Sequence, residues 1–446
     1  SLRAITHEGH DTTLDLCCSF EKRLSVRRKF VAARQSPKKF TSDTPLQCEH
    51  AAAQGCGTLA SRVCGRSQTS LARDGKEQAQ IIPIQIRFMH ETIISERCGD
   101  VKGASRLVLR LATPEVRKMM ILDTDIEPLG MGCWPIGGPM FSGGNSVGYA
   151  GADDEESVRA IHAALDGGIR LFDTAAAYGA GHAERLLGRA LKRRSEALVV
   201  TKIGIAIDED AKELIGDEIE PQSVLPAIDR CLGRLDRDTI DAVLLHQNGL
   251  SVEQAEPIFE QMARAREAGK IRAFGWSTDF SRSIAAVADR DGFAVVEHAM
   301  NVFLDVPRVQ RAVERAGLVA LIRSPLAMGL LGGKYDASSK MPADDIRGTG
   351  KAKTPYFENA HPGPAYVRIL DAVRDLLTTD GRTMAQGAIC WLWAKSSRNV
   401  PIPGARTVEQ IDGLTKALSF GPLPENIMTE IERVIEREEL AEDQAR

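Results

Sequence analysis

The chain has 446 residues, 43% of them hydrophobic, and a formal net charge of −4. That balance leaves no electrostatic footprint for nucleic acid. No apolar run approaches the ~18 residues of a membrane-spanning helix. The length exceeds one average domain, although α/β barrels often run past ~250 residues as a single unit.

The whole-chain figures hide a split. Residues 1–118 hold 20 Lys/Arg against 12 Asp/Glu, so the remainder carries about −12. Six of the nine cysteines also lie there: Cys17, Cys18, Cys48, Cys56, Cys64 and Cys98. They form no C-x-x-C pair, so neither a zinc site nor a disulfide framework is expected. The first thirty residues contain no apolar core of a secretory signal, and twelve acids argue against a transit peptide. Apolar residues come in brief clusters; the best candidate elements are 81–89 and 104–111. Residues 1–118 are therefore expected to be a largely irregular extension, with the catalytic chain beginning near Met119 or Met120. Cys133, Cys231 and Cys390 are widely spaced, as for reduced buried thiols, which suits a cytoplasmic location.

From residue 121 the text changes character. Residues 129–134 read as a first strand, followed by a glycine-rich loop over 135–151. The loop lacks G-x-x-x-x-G-K-[ST] and G-x-G-x-x-G, so it is read as a flexible active-site loop rather than a phosphate loop. Asp153 to Ser157 looks like a capped helix start, with acids against the helix dipole. Val158, Ile161, Ala164 and Leu165 recur at helical spacing before Gly167-Gly168. An apolar run over 169–172 ends on Asp173. A small-residue loop carries Tyr178, a helix opens near His182, and a run over 197–201 delivers Lys202. Strand, loop, helix and strand make a βαβ unit with parallel strands.

The alternation continues. Helices are expected over 222–235, 252–268, 281–288, 307–316, 365–377, 384–395, 407–417 and 425–438. Strands are expected over 240–245, 271–276, 294–296, 319–322 and 399–401, with a long loop at 324–364. Eight strands with intervening helices give the (β/α)8 pattern of an α/β TIM barrel, whose chemistry sits on the rim where the strands end.

Asp173, Tyr178, Lys202 and His246 fall at or just after three successive strand ends. A tyrosine placed there is a candidate general acid for a carbonyl under reduction. Its free pKa near 10 needs lowering, and a nearby ammonium favours the phenolate. Lys202 is expected to supply that charge, Asp173 to hold Lys202, and His246 to position the carbonyl oxygen. Taken singly, each residue has an ordinary structural reading; four on one rim shift the balance.

The stretch from Met119 onward resembles the aldo-keto reductase family. DTAxxYGxGxxExxLGxAL appears as Asp173 to Leu191, TK as Thr201-Lys202 and LLH as Leu244 to His246. The resemblance implies a (β/α)8 barrel, a catalytic tetrad of Asp173, Tyr178, Lys202 and His246, and an extended nicotinamide cofactor held without a Rossmann domain. It implies reduction of a small-molecule aldehyde or ketone, with no nucleic-acid or membrane partner. SPLAMGLLGGKY, residues 324–335, resembles the diphosphate loop, with Ser324, Leu326, Gly329 and Lys334 as its contacts. IPGARTVEQ, residues 402–410, resembles the adenosine end, with Gly404, Arg406 and Gln410. A guanidinium meets a 2′-phosphate with paired donors, so Arg406 favours NADPH, with NADH as the alternative. Ser277, Glu297 and Arg323 fall at the nicotinamide positions. Glu297 stands where the family usually has Gln, Arg323 where it has an aromatic, Thr278 where Asn often follows Ser277, and Leu414 where Asn follows Gln410. Trp134, Phe141 and Asn248 are the expected substrate-pocket residues. Two other readings remain: a cofactor-binding regulatory subunit with little turnover, and a metal-dependent hydrolase built on Asp173 and His246.

Overall fold

The computed structural model describes residues 3–5, 11–12, 108–110, 118–349 and 355–435. By contacts the chain divides into two units, Ser1–Thr113 and Pro114–Arg446. In the first, Arg3–Ile5 pairs antiparallel with Asp11–Thr12 and with Val108–Arg110. Val108–Arg110 falls inside the candidate stretch 104–111; the candidate 81–89 and the six N-terminal cysteines lie outside the described residues.

In the second unit, eight parallel strands form one sheet. They are β1 (Gly130–Gly132), β2 (Leu171–Asp173), β3 (Leu198–Ile203), β4 (Ile240–Leu245), β5 (Ile271–Ser277), β6 (Phe293–Ala299), β7 (Val319–Arg323) and β8 (Asn399–Pro401). Each pairs with its sequence neighbour. The Gly132 amide donates to Pro403 O at 3.0 Å and bridges Gly404, joining the last strand to the first. The sheet is thus drawn round into the expected (β/α)8 barrel.

Helices alternate with the strands: α1 (Asp154–Asp166), α2 (His182–Ala190), α3 (Val224–Leu235), α4 (Val252–Glu267), α5 (Ser281–Val287) and α6 (Pro307–Ala316). Then follow α7 (Pro364–Leu377), α8 (Met384–Lys395), α9 (Val408–Thr415) and α10 (Glu425–Val434). The starts follow local chemistry. Asp153 accepts from the Glu156 amide at the head of α1, and Ser251 and Thr383 build capping boxes for α4 and α8.

Strand alternation sorts the side chains into two layers. Leu171, Leu198, Val200, Ala242, Leu244 and Val295 belong to an inner cluster. Their neighbours Phe172, Val199, Val243, Phe274 and Val296 join the larger cluster with the helices. A hairpin of Met119–Ile121 and Thr124–Ile126 adds Ile121 and Ile126 to the inner cluster, which no sequence periodicity announced. Continuing the inner register by two residues leads to Asp173, Lys202, His246, Glu297 and Arg323, and by four, past Gly275, to Ser277. The polar rim is therefore the last layer of the barrel interior.

Two expectations change. Strand β3 runs to Ile203 and β6 to Ala299, so Lys202 and Glu297 sit within strands rather than after them. The 135–151 loop, expected as flexible, is built. It contains a 3₁₀ turn at Pro135–Gly137 and a hairpin of Phe141–Ser142 with Asn145–Ser146, which pairs with Glu213–Asp217 and through it with Ile205–Asp208.

Gly275 marks where the β5–β6 register shifts. A Cβ there would lie 1.8 Å from Val295 O and 2.8 Å from Leu244 Cδ2. Gly275→Ala is expected to lower stability by about 1–3 kcal/mol or more, read from urea unfolding midpoints. An unchanged midpoint would show that the two strands part without cost.

Candidate active site

The site is centred on Lys202, which is fully buried. Its Nζ donates to Asp173 Oδ1 at 2.8 Å and Oδ2 at 2.7 Å, to Thr174 O at 3.0 Å and to the Tyr178 hydroxyl at 3.1 Å. Glu297 Oε2 lies 3.0 Å from the same nitrogen. Ser277 Oγ donates to Glu297 Oε1 at 3.3 Å. Asp173 and Glu297 are buried, so one ammonium faces two carboxylates inside the barrel.

Burial alone would lower the Lys202 pKa, but Asp173, Glu297 and Tyr178 outweigh it and hold the ammonium well above its usual range. Burial and then Glu297 push the Asp173 carboxyl up, against the pull of Lys202. Burial also favours neutral Glu297, yet Lys202 and Arg323 hold it below the usual carboxylate range. The expectation for Tyr178 is corrected here. Burial raises the phenol above its ordinary value; Lys202 pulls it down, but Asp173 and Glu297 push it up again. The sequence showed the ammonium but neither the depth of burial nor the second carboxylate.

Trp134 stacks on Tyr178, with ring centroids 5.9 Å apart and planes at 16°. Tyr149 meets Trp134 edge-on at 5.2 Å. His246 meets Tyr178 edge-on at 6.1 Å, and its Nδ1 is buried without a partner among the described residues. Burial, then the Lys202 charge, push the His246 pKa down to about 3, so its imidazole is neutral at physiological pH.

The other expected site residues fall into three groups. Asn248 and Arg323 meet at Asp279, whose Oδ2 accepts from Asn248 Nδ2 at 2.7 Å and Arg323 Nη2 at 2.5 Å. Asp279 also accepts from the Ala299 amide at 2.8 Å, making it a buried hub of the rim. The second group is the 324–334 turn. Ser324, Ala327, Met328 and Gly329 all have left-handed backbone, with φ of 55°, 49°, 54° and 95°. Leu326 O accepts from the Gly329 amide at 2.9 Å, while Lys334 is exposed over the Tyr335 ring. The third is the 402–410 segment. Arg406 Nη1 donates to Ala150 O, and the Arg406 amide donates to Gln410 Oε1 at 2.9 Å; Gly404 is exposed. Phe141 lies on the rim hairpin, 39% exposed.

Several contributors went unread. Asp279 follows Ser277-Thr278 at a strand end, a position the rim argument makes suspect. Arg347 and Asp345 carried no signal. Arg347 donates to Met328 O at 3.2 Å and the Tyr335 hydroxyl at 3.1 Å, and sits over the Tyr149 ring; Asp345 Oδ2 accepts from the Ala150 amide at 3.3 Å. Glu156 accepts from the Val408 amide at 3.0 Å at the start of α9. Among the described residues no group of three His, Cys, Asp or Glu is arranged to hold a metal ion, and no helix is long and apolar enough to cross a membrane.

A family profile described as the aldo/keto reductase family matches residues 128–436. The chain is 30% identical over 313 residues to the aldo-keto reductase YhdN of Bacillus subtilis, covering 66% of this chain and 87% of that one. It is 27% identical over 272 residues to the aldo-keto reductase yakc, NADP(+), of Schizosaccharomyces pombe, covering 59% and 78%. Among solved structures, the glycerol dehydrogenase AKR11B4 from Gluconobacter oxydans superposes with a TM-score of 0.59 at 27% identity, covering 73% of this chain and 95% of that one.

Neutral buried histidines carry a pH signature. His298, on the outer face of β6, is buried and faces Gln310 Nε2 at 3.1 Å, and its pKa is pushed down to about 4 by burial. Between that value and the unfolded 6.5 the unfolded chain binds the extra proton, so stability is full above about 6.5 and falls as pH drops. At about pH 5 the loss is ~2 kcal/mol. His298→Gln is expected to lose less stability between about pH 7 and 5 than the unmodified chain, measured by urea unfolding. Parallel losses in the two proteins would show that His298 titrates normally.

Proposed function

The chain belongs to the aldo/keto reductase family, and on that premise we propose that it reduces an aldehyde or ketone to an alcohol with NADPH, Tyr178 giving the proton. Residues 119–446 carry this activity. The carrying observation is the line of contacts from Asp173 through Lys202 to the Tyr178 hydroxyl, with His246 against the tyrosine ring.

When bound, the nicotinamide supplies the hydride. The chain's own residues do the rest. The phenol of Tyr178 and the imidazole of His246 receive the carbonyl oxygen. His246 is neutral, so it orients the oxygen without competing as the acid. As negative charge gathers on that oxygen, the Tyr178 proton moves to it, and the Lys202 ammonium 3.1 Å away stabilises the phenolate left behind. Asp173 holds the ammonium in place. Trp134, stacked on Tyr178, walls one side of the carbonyl, with Asn248 after β4 and Phe141 on the rim hairpin as the further pocket residues.

The residues present fit the cofactor. Ser277 and Glu297 face the carboxamide end, and Arg323 offers a planar group for the ring. The left-handed residues of the 324–329 turn suit a diphosphate, since such turns make concave sets of amides, and Lys334 adds charge. Gly404, Arg406 and Gln410 lie at the adenosine end. Arg406 is the donor for a 2′-phosphate, with the Glu156 carboxylate opposing it on the α9 amide. The NADP(+) in the name of the fission-yeast relative agrees with this choice.

A panel of aldehydes and ketones, with loss of NADPH absorbance as readout, tests the reaction; tight NADPH binding without turnover would sink it. Tyr178→Phe should lower reduction ~10²–10⁴-fold while leaving NADPH affinity near normal. An active variant would remove Tyr178 as the acid. Arg406→Ala should weaken NADPH ~10-fold or more beyond any loss for NADH, measured by fluorescence titration. Equal losses would mean that Arg406 does not meet the 2′-phosphate.

A further inference from the structure

Lys202 Nζ has more acceptors than protons. Two Asp173 oxygens, Thr174 O, the Tyr178 hydroxyl and Glu297 Oε2 all lie within 3.1 Å of it. An ammonium donates three hydrogens. Asp173 and Thr174 are contacts that the tyrosine's positioning requires. Glu297 is the extra claimant, and it arrives from β6, across the barrel from the β2–β3 pair that carries Asp173 and Lys202.

Facing the phenol and the ammonium are Asp173 from β2 and Glu297 from β6, with His246 after β4 edge-on to the phenol; the Cys133 thiol after β1 lies near Asp173 and Lys202, and Arg323 from β7 acts on Glu297. His246 is neutral, and the Arg323 guanidinium is paired with Asp279. Two carboxylates and one ammonium therefore set the local field, with both carboxylates buried.

We propose that Glu297 is a positioning residue that acts through Lys202. Its carboxylate shares the ammonium with Asp173, draws part of it away from the phenolic oxygen, and so keeps Tyr178 in its protonated form between turnovers. The inference rests on the reading of Tyr178 as the acid.

The consequence is for the protonation state from which each direction starts. In reduction a hydride reaches the carbonyl carbon, the Tyr178 O–H bond breaks, its proton goes to the oxygen, and a phenolate remains that must regain a proton before the next turnover. A second carboxylate beside Lys202 favours that recovery. In oxidation the phenolate must exist first, to take the alcohol proton as the hydride leaves carbon. The same carboxylate disfavours it.

The test is Glu297→Gln, which keeps the shape and removes the charge. Tyr178 ionisation is read as the near-ultraviolet phenolate difference between each protein and its Tyr178→Phe counterpart, a signal that needs no turnover and that a purely structural role would leave in place. The variant should ionise at a pH lower by about one unit or more. The pH above which carbonyl reduction falls off should drop by the same amount, about one unit. Ionisation at the same or a higher pH, or an unchanged alkaline fall-off, overturns the proposal. If neither protein turns over a carbonyl, the reductase reading fails while the ionisation comparison still decides the role of Glu297. Should Glu297→Gln not fold, the unmodified chain decides: Tyr178 ionising below about pH 10, the free-phenol value, overturns the proposal.

Discussion

Everything at the barrel mouth depends on one buried ammonium. Lys202 is fully enclosed, and enclosing a charge costs several kcal/mol unless partners replace its water. Asp173 supplies two oxygens from the end of the strand beside it, where β2 and β3 are parallel and in register, and Thr174, the next residue, supplies a carbonyl. Removing Asp173 would leave the ammonium with Glu297 as its remaining carboxylate. Removing Lys202 would leave two carboxylates facing each other in a low dielectric. The cluster holds together only as a set, which is why the titration of any member reflects the others.

The position of the cluster follows from strand parity. A parallel barrel strand sends alternate side chains inward, and the lower inward layers are Leu, Val and Ala. At the top of the same register those apolar residues give way to Asp173, Lys202, His246, Ser277, Glu297 and Arg323. On the outward face, Ile203 and Leu245 keep the strands against the helices beside Lys202 and His246. Function therefore enters the fold without breaking the packing that defines it. The ladder hydrogen bonds fix each functional Cα, so the site gains its geometry from the most regular part of the molecule.

This explains what could be read beforehand. Strands β4 and β8 and helices α6 and α8 were placed at their observed bounds because apolar runs and caps are local signals. Asp173, Lys202 and His246 were legible because they end such runs, and Tyr178 because its motif surrounds it. Glu297 was legible as a strand-six residue but not as a partner of Lys202, since that contact joins residues 95 positions apart in the chain. Burial was equally invisible, and it reversed the expected direction for the Tyr178 phenol. The rim hairpin, the inner plug at 119–126 and the Asp345–Arg347 pair are local, but their attachments to Glu213, to the inner cluster, and to Ala150 and Met328 join distant segments, so no periodicity encodes them.

The two kinds of contact also divide the labour. The groups around Tyr178 sit on strands or at their ends: Lys202 and Glu297 lie within β3 and β6, and Asp173 ends β2. The wall around it comes from segments far apart in sequence. Trp134 and Tyr149 belong to the first βα loop, and Arg347 of the 324–364 segment packs over Tyr149 while Asp345 binds the Ala150 amide. The same Arg347 bonds Met328 O within the 324–329 turn. One side chain thus ties the substrate wall to the segment that suits a diphosphate, and neither connection touches Lys202. Change in these loops reshapes what reaches Tyr178 and leaves its contact with Lys202 intact, which is how one barrel mouth can keep its chemistry while its substrate varies.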